Sequence, residues 1–524
     1  MRSVNEAVVV GKVGSQFPIN YCEKCDRETI YPFCETCFSK TKKKFYCREC
    51  DEKKFEKCKE HERSQRYNFQ YLDIKHFFDS AVKHIGFSRD EIPVLIKGIR
   101  GTNSANHIME NLAKGILRAK NNLQVNKDGT IRLDATELPV THFKPKEIGV
   151  SVEKLKEIGY EKDFLGNELQ DENQILEIMP HDVILPACKD STDEKSDEVF
   201  LKICKFVDEE LVKFYKLNSF YNIKNKEDLI GHLGVCMAPH NCAGVICRFI
   251  GFSNTQGLLA SPYMHAAIRR DCDGDEAAVM LLGDVLMNFS REYLPGHRGG
   301  TQDAPLVLNG KIDAGEVDDQ ILDFEMVREY PLSLYEKAEK RLHSSEVKGE
   351  EIPTIKFILR KGKDPFKEIG FTHDTENFNE GVVCSSYKTL ATMQDKVKHQ
   401  MELVEKIRAV DTSDTAHLII DRHFLRDLRG NLRKFSQQEF RCVACNEIVR
   451  RPPLNGKCPA CGGKLIFTIH EGGIKKYLEP ALELANKYNL SSYMKQNLEL
   501  VKRYIESIFG KELEKQTGLG EWAK

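Results

Sequence analysis

No run of about 18 apolar residues occurs anywhere in the chain, and the start Met1-Arg2-Ser3-Val4-Asn5-Glu6 lacks the charged-then-apolar layout of a signal peptide. Neither a membrane-spanning helix nor a secretory leader is expected, so the reading is a cytoplasmic protein with no membrane partner. Tryptophan is nearly missing, with Trp522 alone, and so is net charge, since 78 Lys plus Arg face 80 Asp plus Glu. Contact with a polyanion must then come from local basic patches. A phosphate-binding P-loop, a dinucleotide-binding glycine fingerprint and a Gly-x-Ser-x-Gly elbow are absent too, which removes three common routes to nucleotide or acyl chemistry.

What the chain does have is length and cysteine. At 524 residues, with 41% hydrophobic and 30% charged, it carries material for folded cores and exceeds one ordinary core. A prior of about 150 residues per domain gives roughly three or four units. Most of the 18 cysteines stand in Cys-x-x-Cys pairs, the spacing of metal ligands in a reducing compartment rather than of disulfides.

Three quartets follow. Cys22, Cys25, Cys34 and Cys37 supply four thiolates; Cys47, Cys50, Cys58 and His61 supply three and an imidazole; Cys442, Cys445, Cys458 and Cys461 form a zinc-ribbon arrangement. Each suits a closed tetrahedral Zn²⁺ site with no position left for substrate, so three structural zinc ions are expected. The other seven, Cys188, Cys204, Cys236, Cys242, Cys247, Cys272 and Cys384, are expected as small buried apolar residues.

The organisation reads as residues 1–66 for two zinc modules, 67–300 for an α+β region, 301–434 for an accessory α/β region, 435–475 for the zinc ribbon and 476–524 for a helical tail. Ile74, Phe77, Phe78, Ala81, Val82 and Ile85 predict an amphipathic helix, and Thr130-Ile131-Arg132-Leu133 a strand. A second helical pattern runs from Met393 to Val410.

The segment Asp271-Cys272-Asp273-Gly274-Asp275 puts three carboxylates at alternate positions. On an extended backbone these share a face and converge on one hard cation, with Gly274 permitting the turn. Mg²⁺ is the natural occupant, and nucleotidyl transfer uses two such ions. An EF-hand would need Glu at the loop's twelfth position, where Leu282 stands, so that reading fails. A merely solvated acidic turn is the alternative that spacing leaves open. Ala277, Met280, Leu281, Leu282, Leu286 and Phe289 recur at helical spacing, which predicts that a helix follows the loop directly and anchors it.

His265, Arg269 and Arg270 precede the acids and suit a polyphosphate substrate. Lys97 and Arg100, Arg118 and Lys120, and Arg298 lie in further basic runs suited to tracking a nucleic-acid backbone.

Long irregular strings go further than spacing. Asp128-Gly129-Thr130-Ile131-Arg132-Leu133-Asp134-Ala135-Thr136, Glu147-Ile148-Gly149-Val150-Ser151-Val152-Glu153-Lys154-Leu155, the acidic loop, Asp303-Ala304-Pro305-Leu306-Val307 and Arg451-Pro452-Pro453-Leu454-Asn455-Gly456-Lys457-Cys458-Pro459 make the chain resemble the C-terminal part of the archaeal family D DNA polymerase large subunit. The resemblance implies a multidomain α+β protein with a double-psi β-barrel catalytic domain of two-barrel polymerase type, zinc modules and C-terminal helices. It implies Mg²⁺ on Asp273 and Asp275, primer-template DNA and deoxynucleotides as substrates, and a small subunit carrying a proofreading nuclease.

Two departures matter. The family usually has Asn where Asp271 stands; the extra charge either strengthens ion binding or raises a neighbour's pKa. The family also carries a long N-terminal region with the other barrel, so a separate polypeptide supplying that half is expected and the isolated chain is expected to be inactive. Gln516, Leu519 and Trp522 have the spacing of a sliding-clamp-binding peptide, with Ala523 where a second aromatic is usual. An RNA polymerase-like two-barrel enzyme, favoured by Asp271, and a noncatalytic zinc-rich nucleic-acid scaffold are the competing readings.

Overall fold

The computed structural model describes residues 4–510 apart from 62–63, 97–109, 127, 240, 290–305, 348, 368, 371–376, 387–388, 446, 452 and 467–468. Lys97, Arg100, Arg298, Gln516, Leu519 and Trp522 lie outside the described residues. The chain forms two compact units, 1–385 and 386–524, of mixed helix and sheet.

In the first unit, strand β1 (Lys12–Pro18) pairs antiparallel with β2 (Tyr67–Asp73), Lys12 opposite Asp73 and Pro18 opposite Tyr67. The two cysteine modules are therefore an insertion between paired strands. Helix α1 (Ile74–Ile85) starts where β2 ends, because the Asp73 carboxylate accepts from the N–H groups of Lys75 and His76; it stops at Gly86, whose φ of 69° suits glycine. Ile74, Phe77, Ala81 and Ile85 are buried, as the periodicity predicts.

The larger part of this unit is built on a ring of strands. In chain order these are β3 (Leu133–Pro139), β4 (Asp182–Pro186), β5 (Leu233–Met237), β6 (Ala243–Ser253), β7 (Gly257–Ala260) and β8 (Glu276–Leu281). Hydrogen bonding runs β4, β7, β3, β8, β5, β6, and β6 then pairs parallel with β4, so the six close on themselves. A short strand β9 (Val307–Asn309) adds to β6 in parallel. Val183, Ile184, Leu185, Val235, Cys236 and Met237 are fully buried, since both faces of these strands are covered. At Gly234 a Cβ would stand 2.9 Å from the Met280 carbonyl oxygen, so only glycine lets β5 lie this close to β8.

The expectation of a helix directly after the acidic loop is wrong for its first turn and a half. Residues 276–281 are strand β8, and the helix, α5, covers only Leu282–Asn288. Ala277 to Leu281 is apolar at every position because the strand is buried on both sides, and such a run cannot be told from a helix by periodicity alone.

The second unit packs helices Met393–Lys406, Leu425–Gln437, Leu478–Lys487 and Ser492–Phe509 around Met401, Ile420, Leu428, Ala481, Leu498 and Ile505. The helix predicted from Met393 ends at Lys406, before Val410. Three short strands, Phe440–Cys442, Ile448–Val449 and Leu465–Ile466, form its ribbon.

Candidate metal centres

Each predicted quartet comes together, its four ligand atoms lying within 4.8 Å of one another. Cys22 and Cys37 sulfurs are 3.5 Å apart, Cys50 and Cys58 3.8 Å, and Cys445 and Cys458 3.5 Å. His61 belongs with its three cysteines, Nδ1 standing 3.3 Å from Cys50 Sγ. Sulfurs bound tetrahedrally at about 2.3 Å sit roughly 3.8 Å apart, so the donors fit zinc.

The first two modules repeat a local device. In Tyr21-Cys22-Glu23-Lys24-Cys25-Asp26 and Tyr46-Cys47-Arg48-Glu49-Cys50-Asp51, the final Asp has positive φ, 51° and 54°, and its carboxylate accepts from the Tyr hydroxyl. That contact spans each cysteine pair. Backbone N–H groups of Cys445 and Ala444 pull the Cys442 thiol down to about 6, and Ser39 does the same for Cys37 through its hydroxyl and N–H. Both favour the thiolate that a metal needs.

The acidic loop lies between helix α4 (Pro262–Ala267) and β8. Ser261 caps α4 by accepting from Tyr263 N–H, Pro262 occupies its first turn, and the Tyr263 hydroxyl donates to the Pro365 carbonyl at 2.6 Å. Beyond α4 the chain turns sharply, with positive φ at Arg269 (63°), Cys272 (60°) and Gly274 (119°). It is retied where Glu137 N–H donates to Asp275 O at 3.0 Å and Glu276 pairs with Thr136.

Asp271, Asp273 and Asp275 do converge, their oxygens within 4.8 Å of one another. The route differs from the expected one: left-handed residues in a turn, and not an extended strand, bring them to one side. Asp271 and Asp273 are exposed and Asp275 half-buried. The Asp273 carboxyl is raised above its ordinary value by the Asp271 charge first, then by desolvation and the Asp275 charge. Like charges held this close favour a cation among them. The donors are all hard carboxylate oxygens, which fits Mg²⁺.

Among the predicted basic contacts, Arg270 Nη1 stands 2.7 Å from Asp275 Oδ2, and exposed Arg269 donates to the Glu316 carbonyl at 3.0 Å. Lys120 remains partly exposed beside Glu209 at 2.8 Å. Two assignments are corrected. Arg118 is 2% exposed, ion-paired with Glu110 at 2.6 Å and donating to Gly129 O at 3.1 Å, so it ties the interior together and has no face for phosphate. His265 is 1% exposed, on the buried side of α4, with Nδ1 3.3 Å from Glu137 Oε1.

Cys272 is not a plain core cysteine either. It is half-buried, with Sγ 3.9 Å from Glu137 Oε2, and burial together with the Glu137 charge pushes its thiol up to about 12. The sequence gives no sign of Glu137 in this role, because 135 positions separate it from Cys272.

Residues 89–396, more than half of the chain, match the family model for the catalytic domain of the DNA polymerase II large subunit DP2. The chain belongs to this family. Family membership extends through its curated relatives, each named DNA polymerase II large subunit. That of Nanoarchaeum equitans is 45% identical over 554 residues, that of Archaeoglobus fulgidus 47% over 514, and that of Pyrococcus furiosus 42% over 522. The alignments cover 98%, 98% and 97% of this chain but 44%, 44% and 40% of the relatives, so the chain spans less than half of their length. Among the described residues no helix is long and apolar enough to cross a membrane.

Proposed function

We propose that this chain carries the metal-binding acids of a DNA-directed DNA polymerase and takes part in templated transfer of deoxynucleotides to a primer 3′-hydroxyl. The observation that carries the reading is the convergence of Asp271, Asp273 and Asp275 at the edge of the closed strand ring, in a chain of this family. The six-strand closure supports the double-psi barrel reading.

In this account the three carboxylates hold Mg²⁺, with Asp273 and Asp275 as principal ligands. The bound ions, two in the full reaction, supply a lowered pKa at the primer hydroxyl and charge neutralisation at the leaving pyrophosphate. Arg270, which pairs with Asp275 here, and exposed Arg269 beside it would supply the positive charge that meets the polyphosphate. The rigid β8 and the Glu137-to-Asp275 backbone bond hold the acids in place while substrates exchange.

The three quartets hold structural Zn²⁺, and their modules shape contacts with protein partners. The partner in this reading is a small subunit with proofreading nuclease activity, docked in part by the Cys442–Cys461 module. The Gln516, Leu519 and Trp522 peptide is assigned to a sliding clamp. The relatives' names favour DNA synthesis over the RNA polymerase-like and scaffold readings.

The test is primer extension by the assembled enzyme. Asp273→Ala and Asp275→Ala are expected to abolish extension and leave primer-template binding intact; undiminished extension rejects the assignment.

A further inference from the structure

Beside the three carboxylates lies a second group of donors: Glu137 on β3, His265 on α4 and Cys272 in the loop itself. One ligand atom from each lies within 4.8 Å of the others. Glu137 and His265 are almost completely buried. Neither Glu137 Oε1 nor His265 Nδ1 makes a hydrogen bond, although they face one another at 3.3 Å.

The tautomer sharpens the problem. His265 Nε2 lies 3.3 Å from the Leu138 carbonyl oxygen, which can only accept, so Nε2 carries a proton. In the tautomer with that single proton, Nδ1 turns its lone pair toward a carboxylate oxygen. Two acceptors at that distance in a buried place repel, and the repulsion is relieved by a proton on Nδ1 or by a cation bound between them. The Cys272 sulfur, 3.9 Å from the other Glu137 oxygen, completes a set of one sulfur, one nitrogen and one oxygen.

We infer that Glu137, His265 and Cys272 form a binding site for a borderline-soft divalent cation, Zn²⁺, distinct from the hard-cation site on Asp271, Asp273 and Asp275. Donors bound at 2.0–2.3 Å in a tetrahedron sit roughly 3.2–3.8 Å apart; His265 Nδ1 and Glu137 Oε1 stand 3.3 Å apart, and one atom from each of the three residues lies within 4.8 Å of the others. The His265 N–H to Leu138 carbonyl bond is the outer contact by which proteins orient a metal-binding imidazole. The mixed donor set selects against Mg²⁺, which takes oxygen. Three protein ligands leave a fourth position open.

The site ties three elements together. Cys272 lies between Asp271 and Asp273 and has φ of 60°, so a cation on its sulfur pins the turn that sets both carboxylates. The assignment does not depend on the polymerase reading, because it concerns binding and not catalysis.

Metal content tests it. The full chain is equilibrated with a small excess of Zn²⁺, freed of loose ions by gel filtration, and its zinc per chain measured by plasma mass spectrometry. Wild type is expected to hold one equivalent more than Cys272→Ser and one more than His265→Gln. Asp273→Asn is expected to keep that equivalent, whereas zinc resting on the acidic loop would be lost in Asp273→Asn and kept in Cys272→Ser, which overturns the proposal. Equal zinc in wild type, Cys272→Ser and His265→Gln also overturns it, a proton on Nδ1 then closing the pair. A second measurement needs no variant: Zn²⁺, and not Mg²⁺, is expected to slow alkylation of Cys272 at least tenfold, read by peptide mass spectrometry, and an unchanged rate counts against the site.

Discussion

The zinc quartets and the acidic loop solve the same problem, gathering like-charged ligands, in opposite ways. Each quartet draws all four donors from one short module, held by hairpins and by N–H groups aimed at sulfur. The acidic loop has contiguous ligands, but its shape depends on distant parts of the chain: α4 before it, β8 after it and Glu137 on β3. A quartet is therefore its own scaffold once metal is bound, whereas the loop borrows rigidity from a preformed ring. The difference implies that metal loss should unfold the modules but leave the ring standing.

Four outcomes sharpen or break that contrast, the largest first. Cys34→Ser, or a strong chelator, removes a metal worth about 10–16 kcal/mol to small zinc domains. Hydrogen exchange should show residues 20–43 losing protection while β6 keeps its own. Loss of protection in both would mean that ring and module fold as one.

Arg118→Ala should cost about 3–5 kcal/mol in denaturant unfolding, because it leaves Glu110 without its buried partner. Lys120→Ala, at a partly exposed pair near the surface, should cost about 0–1 kcal/mol. A weakened DNA affinity for folded Arg118→Ala, with stability unchanged, would restore the phosphate contact that burial argues against.

Gly274→Ala puts a Cβ on a residue at φ 119°, where the surroundings are open but the backbone is strained. The cost should be about 1–2 kcal/mol, with weakened Mg²⁺ binding measurable by calorimetry.

The smallest effect is electrostatic. Asp273 has a raised folded-state pKa, so across the window just above the ordinary carboxylate value the folded chain binds more protons than the unfolded one. Stability without divalent ions should therefore fall as pH rises through that window. Asp273→Asn should flatten the slope measured by thermal unfolding, and an unchanged slope would mean that the three acids do not repel.

The same contrast explains what could be read in advance. The quartets were legible because every ligand is local and the spacing is specific. Helix α1 was legible because only one face is buried, leaving the period from Ile74 to Ile85 intact. The ring was not, since short strands such as Asp182–Pro186 are buried on all sides and lose the alternation that marks a strand. The three acids and the turn at Gly274 were visible, but the left-handed residues before it were not: Cys272 and Arg269 adopt positive φ without being glycine. Arg118 and His265 were misjudged for one reason. Charge and basicity are in the sequence, and burial is a tertiary property.

The central claim is that Asp271, Asp273 and Asp275 form the metal centre of this chain, and direct ion binding tests it without partners. Mn²⁺, a paramagnetic stand-in for Mg²⁺, is titrated into the zinc-loaded chain and the free ion is followed by electron paramagnetic resonance. The account expects saturable binding that Mg²⁺ displaces and that both Asp273→Asn and Asp275→Asn abolish, with the zinc content unchanged. Binding of equal strength in the two variants would contradict it.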